Sequence, residues 1–75
     1  MKEFNLEEAK SGVPICTREG KDAEFMYIRE GESYPITVRI YYATASNNTF
    51  SITEAYNEYG KAFLYREDKF DLMMK

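Results

Sequence analysis

Cys16 is the single cysteine of the chain, and no histidine is present to serve as its base. That removes the commonest route to a thiolate nucleophile, and with it the usual zinc-ligand spacings. Between Ile15 and Thr17, the residue reads as a small apolar side chain on a strand. Arg18, within Thr17-Arg18-Glu19-Gly20, could offer its guanidinium to an anion. One arginine does not make a phosphate site, however, and the segment reads as a hairpin turn with solvated side chains. Glu67, Asp68 and Asp71 could gather around a cation, but they lack the Asp-x-Asn-x-Asp-Gly pattern of a calcium loop and read as solvated surface. Nothing selects a pair of carboxylates for acid–base work. The expectation is therefore a protein that is not an enzyme and that uses no metal or cofactor.

One combination of side chains remains. Arg39 and Tyr41 alternate onto one face of a strand, and Tyr27 and Arg29 join them if the neighbouring strand is in register. Aromatic rings interleaved with basic groups can stack nucleic-acid bases, or they can form a protein contact. Charge decides between the two. Ten Lys and Arg against thirteen Asp and Glu leave a net charge of −3 with the signs interleaved, the opposite of a nucleic-acid footprint. The expected ligand is a protein partner or a second copy of the chain, with a nucleic-acid-associated β-domain as the alternative. Seven Tyr and five Phe in 75 residues exceed what so small a core readily encloses, so an exposed aromatic patch including Tyr27 and Tyr41 is expected.

These residues need elements to hold them, and the chain is long enough for one domain, residues 1–75. Asn5-Leu6-Glu7-Glu8-Ala9-Lys10-Ser11-Gly12 reads as a helical turn, capped by Asn5 with Glu8 three residues on and stopped at Gly12. After Pro14 the period changes to two. In Pro35 to Ala43 the residues Ile36, Val38, Ile40 and Tyr42 fall on one face, with Thr37, Arg39 and Tyr41 pointing outward on the other. Phe25-Met26-Tyr27-Ile28 is apolar on both faces, as in a central strand covered on its second side. Glu30 to Ser33 and Thr44 to Asn48 have loop chemistry.

The stretch from Thr49 to Tyr65 supports two patterns. As a helix, Ser51 caps and Gly60 terminates; as a hairpin, Phe50, Ile52, Glu54 and Tyr56 alternate and Gly60 turns into a strand over Lys61 to Tyr65. Phe70 to Met74 reads as a closing edge strand. The architecture expected is mainly β: a small antiparallel meander or SH3-like barrel of about five strands with one amino-terminal helical turn. The amino terminus lacks the apolar stretch of a signal peptide, and no run is long enough to span a bilayer, which points to a cytoplasmic protein.

Several fragments together resemble short uncharacterised proteins of gut bacteria and their phages, in which a helical leader precedes a small β-domain. Phe4, Leu6, Ala9, Lys10 and Gly12 carry the resemblance in the leader, followed by Pro14 and the Thr17-Arg18-Glu19-Gly20 turn. Ala23, Tyr34-Pro35-Ile36, the spacing from Tyr56 to Gly60-Lys61, and Asp71-Leu72 complete it, so that it spans nearly the whole chain. The resemblance implies a hairpin rather than a helix after Ser51. It also implies a phage or mobile-element context and no established activity. The expectation of a non-catalytic interaction module, an accessory protein binding a protein partner or itself, therefore rests on the missing catalytic signatures and the surplus of Tyr and Phe.

Overall fold

The computed structural model describes every residue except Thr44, Ala45, Asn47 and Leu64, so part of the loop expected at 44–48 and one residue of the strand expected at 61–65 lie outside the described residues. Six strands and one helix follow in the order β1 (Lys2–Glu3), α1 (Leu6–Lys10), β2 (Ile15–Thr17), β3 (Asp22–Ile28), β4 (Ile36–Ala43), β5 (Thr49–Tyr56) and β6 (Leu72–Met74). They make one antiparallel sheet in the spatial order β1-β6-β2-β3-β4-β5, curled into a half-barrel.

The leader folds as its residues dictate. Asn5 Oδ1 accepts the Glu8 amide at 3.0 Å, and Glu7 and Glu8 in the first turn with Lys10 in the last suit the helix dipole. Five residues cannot hold a helix alone, and α1 is kept by burying Ala9 in the core, with Phe4 and Leu6 packed beside it. Between β2 and β3 the pairs Ile15 with Ala23 and Cys16 with Asp22 are continued by the Thr17 amide, which donates to the Lys21 carbonyl at 2.8 Å, and this leaves Arg18-Glu19-Gly20 as a three-residue loop. Gly20 closes it at φ +96°, its amide donating to the Thr17 carbonyl at 2.9 Å, while Thr17 Oγ1 accepts the Lys21 amide at 3.0 Å.

β4 is the spine of the sheet. Ile36, Val38 and Ile40 are fully buried on the concave face, where Ile15, Tyr56, Leu72 and Met74 complete the core. Thr37 lies on the other face, as its alternation requires, yet it is buried rather than solvent-facing. It sits in a cross-strand row between Tyr27 and Ala55, where a small side chain is screened by its neighbours.

The doubly apolar run in β3 has a different origin from the covering layer expected of it. The register with β4 slips between Phe25 and Tyr27, so that Met26 is the extra residue of a β-bulge. Phe25 and Ile28 consequently both turn inward, and Met26 and Tyr27 stay exposed. A bulge also sharpens local twist, which suits the curl of the sheet.

β5 is a strand along its whole length, paired with β4 from Ile36 with Tyr56 to Ala43 with Thr49. The helical alternative loses because eight ladder pairs and the burial of Tyr56 outweigh a local capping box. Beyond it, the described residues of 61–65 form turns rather than a strand. Asn57 organises this return: its Oδ1 accepts the Tyr59 and Lys61 amides, both at 2.9 Å. Tyr56 donates its hydroxyl to the Phe70 carbonyl at 2.6 Å, and the Leu72 amide reaches the Gly60 carbonyl at 2.8 Å. The chain then re-enters the sheet, and β6 lies between β1 and β2 rather than at an edge. The two-residue β1, absent from the sequence reading, exists because β6 offers it a partner, pairing Lys2 with Met74 and Glu3 with Met73.

Candidate interaction surface

The outer, convex face of β3, β4 and β5 collects the residues singled out from the sequence. Alternation along β4 puts Arg39 and Tyr41 on this face, and the register sets Glu24 of β3 directly opposite Arg39. Tyr41 donates its hydroxyl to Glu24 Oε1 at 3.0 Å, and Arg39 Nη1 approaches the same oxygen at 3.9 Å. Tyr27 and Arg29 form a second group, with Arg29 Nη2 donating to the Tyr27 hydroxyl at 3.1 Å and the guanidinium carbon 5.5 Å from the ring centroid. Tyr27 remains 43% exposed and Tyr41 39%. The four residues therefore share one face but form two groups in adjacent cross-strand rows, with the buried Thr37 directly opposite Tyr27 and Glu24 directly opposite Arg39.

Glu24, which joins Arg39 to Tyr41, was missed in the sequence, as was the exposed Met26. Both become visible only once the bulge fixes the register. Glu24 is the chemically decisive residue, because its carboxylate balances the cation that would otherwise be offered to a phosphate.

The other chemical candidates are absorbed by the fold. Cys16 is buried, its thiol is pushed up from its ordinary pKa chiefly by that burial, and its Sγ lies 3.4 Å from Met1 Sδ. Arg18 and Asp71 are not the solvated side chains expected of a turn and a surface run. Asp71 is only 1% exposed, and its oxygens accept the Ala62 and Asp68 amides at 3.0 Å each. Arg18 Nη2 and Lys61 Nζ lean on it at 3.5 and 3.9 Å, so this carboxylate staples the 57–71 return to the β2–β3 turn. Beside this staple a cleft of about 570 Å³ separates the leader from the return, with Phe4, Leu6 and Tyr59 on its walls and Glu58 and Glu67 among its lining groups.

Residues 1–74 match the family model described as Haemophilus phage HP1 protein YO09. The chain belongs to the family of Haemophilus phage HP1 protein YO09. This is a phage protein family of unknown function, which places the protein in a phage setting and covers the leader, the sheet and the return together. No curated protein and no solved structure matches the chain. Among the described residues no helix is long and apolar enough to cross a membrane.

Proposed function

We propose that this member of the HP1 YO09 family is a non-catalytic phage accessory protein that binds a protein partner through the outer face of β3 and β4. One observation carries the reading: Tyr27 and Tyr41 stand exposed on a single rigid sheet face, with Met26, Arg29 and Arg39 around them. Tyrosine, methionine and arginine are the residues enriched in protein contacts, since they present large, fairly rigid amphipathic area. The non-catalytic half of the proposal is supported by the burial of Cys16 and by the structural engagement of Asp71.

The nucleic-acid alternative uses the same residues, but here Tyr41 is hydrogen-bonded to Glu24 and the same carboxylate lies beside Arg39, on a chain of net charge −3. Binding to phosphate would have to displace that carboxylate and overcome the repulsion of the whole molecule. Affinity capture from phage-infected cells, with mass spectrometry and nucleic-acid sequencing on the same eluates, tests the choice. A recovered protein with no enriched nucleic acid is the expected result. Enriched DNA or RNA that is lost steeply with salt and lost in Arg39→Glu would reverse the ranking.

A further inference from the structure

Among the described residues the sheet ends in two unlike edges. β1 closes one side with two residues, both charged. β5 closes the other with eight, Thr49–Tyr56, in unbroken register with β4 and with Glu54 as its single charge. Sheet edges in soluble proteins are usually blunted by brevity, lysine, proline or a bulge. β1 has brevity and a lysine, whereas β5 is guarded only by Glu54, a single charge that lies outside the Thr49–Thr53 stretch. The main-chain groups of β5 turned away from β4 are a template for one more strand. Phe50, stacked on Tyr42 at 5.3 Å between ring centroids, is 51% exposed at this same edge.

We propose that β5 pairs antiparallel with β5 of a second copy of this chain, about a two-fold axis at Ser51. The sequence of the strand identifies the occupant. Thr49-Phe50-Ser51-Ile52-Thr53 places a threonine and then a large apolar residue at equal distances on either side of Ser51. Self-pairing centred there sets Thr49 against the second copy's Thr53 and Phe50 against its Ile52, each pair occurring twice by symmetry. Thr–Thr and aromatic–β-branched pairs are among the favourable cross-strand combinations.

Charge selects the same register. Glu54 falls opposite the second copy's Asn48, and the two Glu54 carboxylates are about 20 Å apart along the strands. An axis at Ile52 would set Phe50 against Glu54, and an axis at Glu54 would oppose the carboxylates directly. An axis normal to the sheet also keeps both convex faces on one side. The dimer would then present two Tyr27 and Tyr41 surfaces side by side, making the proposed partner contact bivalent. Only this consequence rests on the proposed function, because the pairing itself uses the β5 main chain.

Sedimentation of the full chain over a dilution series should show a dimer dissociating to a monomer. Ser51→Glu and Ser51→Lys, at an exposed position, should each give monomers with the parent's circular dichroism, because like charges meet at the axis. Mixing the two variants should restore a dimer containing one of each. Amide exchange on the unsubstituted protein gives a readout independent of any variant: β5 should gain protection as concentration rises, and β1 should not. A parent that stays monomeric, a dimer indifferent to both Ser51 changes, or β5 protection that ignores concentration would overturn the pairing. A dimer lost in Tyr41→Ser but kept in Ser51→Glu would overturn it as well, while leaving the convex face as a contact.

Discussion

Gly60→Ala adds one methyl group at a point where backbone and packing both refuse it. Gly60 has φ +78°, and a Cβ built there would lie 2.6 Å from Phe4 Cδ2 and 2.7 Å from Phe4 Cγ. Holding alanine in the left-handed region costs about 1–2 kcal/mol. Forcing the overlap with a packed ring costs about 1–3 kcal/mol more. A single core of this size supplies only about 3–5 kcal/mol in all, so the variant should lose a large share of its stability, from roughly two fifths to the whole. Gly20→Ala separates the two costs, since Gly20 also has positive φ, +96°, but a Cβ there meets nothing within 4 Å. Urea unfolding followed by far-ultraviolet circular dichroism should rank the proteins as parent, then Gly20→Ala, then Gly60→Ala. Adding Phe4→Ala to Gly60→Ala should cost less than the sum of the single changes, because the overlap is removed once. Equal losses at the two glycines, or full additivity with Phe4→Ala, would refute the close approach of the leader to the return.

Cys16 should resist a thiol reagent in the native state, by on the order of a hundredfold relative to the unfolded chain, because burial both shields the sulfur and raises its pKa. Equal labelling rates before and after denaturation would show that β2 does not bury it. Tyr56 gives an alkaline signature. Its hydroxyl is held well above a phenol's ordinary pKa of about 10, first by burial and then by Glu54, so the folded state keeps a proton that the unfolded chain releases. Its contribution is complete below pH about 10 and falls above it by about 1.4 kcal/mol per pH unit. Tyr56→Phe should flatten this decline in a series of urea midpoints against pH, while losing about 1 kcal/mol at neutral pH with the bond to Phe70. An unchanged alkaline slope would contradict the assignment. The Ser51 charge pair adds the prediction already described for β5.

Where a local pattern determined the structure, the sequence was readable. The alternation from Ile36 to Tyr42, the Asn5 cap and the glycine-closed turn at Gly20 are each set by residues within a few positions of one another. The strand at 49–56 needed more, because its capping residues and its alternation compete locally, and pairing with β4 decides between them. Three features are non-local and were not legible. β6 is interior because β1 and β2 flank it, and nothing within Leu72-Met73-Met74 distinguishes that place from an edge. Four apolar residues in β3 signal a bulge only once their partners in β4 are known. Asp71 follows a polar stretch and looks solvated until Arg18, distant in sequence, is brought against it. The interaction surface was half legible for the same reason: period two places Arg39 with Tyr41, but the register that adds Glu24 depends on the bulge.

Partner capture by surface variants from phage-infected cells tests the outer-face contact most directly. Tyr27→Ser and Tyr41→Ser remove the two exposed rings from the convex face, whereas Tyr65→Ser removes a ring that is 95% exposed in the 57–71 return. All three should remain folded, since none of these side chains lies in the core. A protein retained by the parent and by Tyr65→Ser but lost with Tyr27→Ser and Tyr41→Ser is the predicted result. Undiminished capture by both outer-face variants would contradict it.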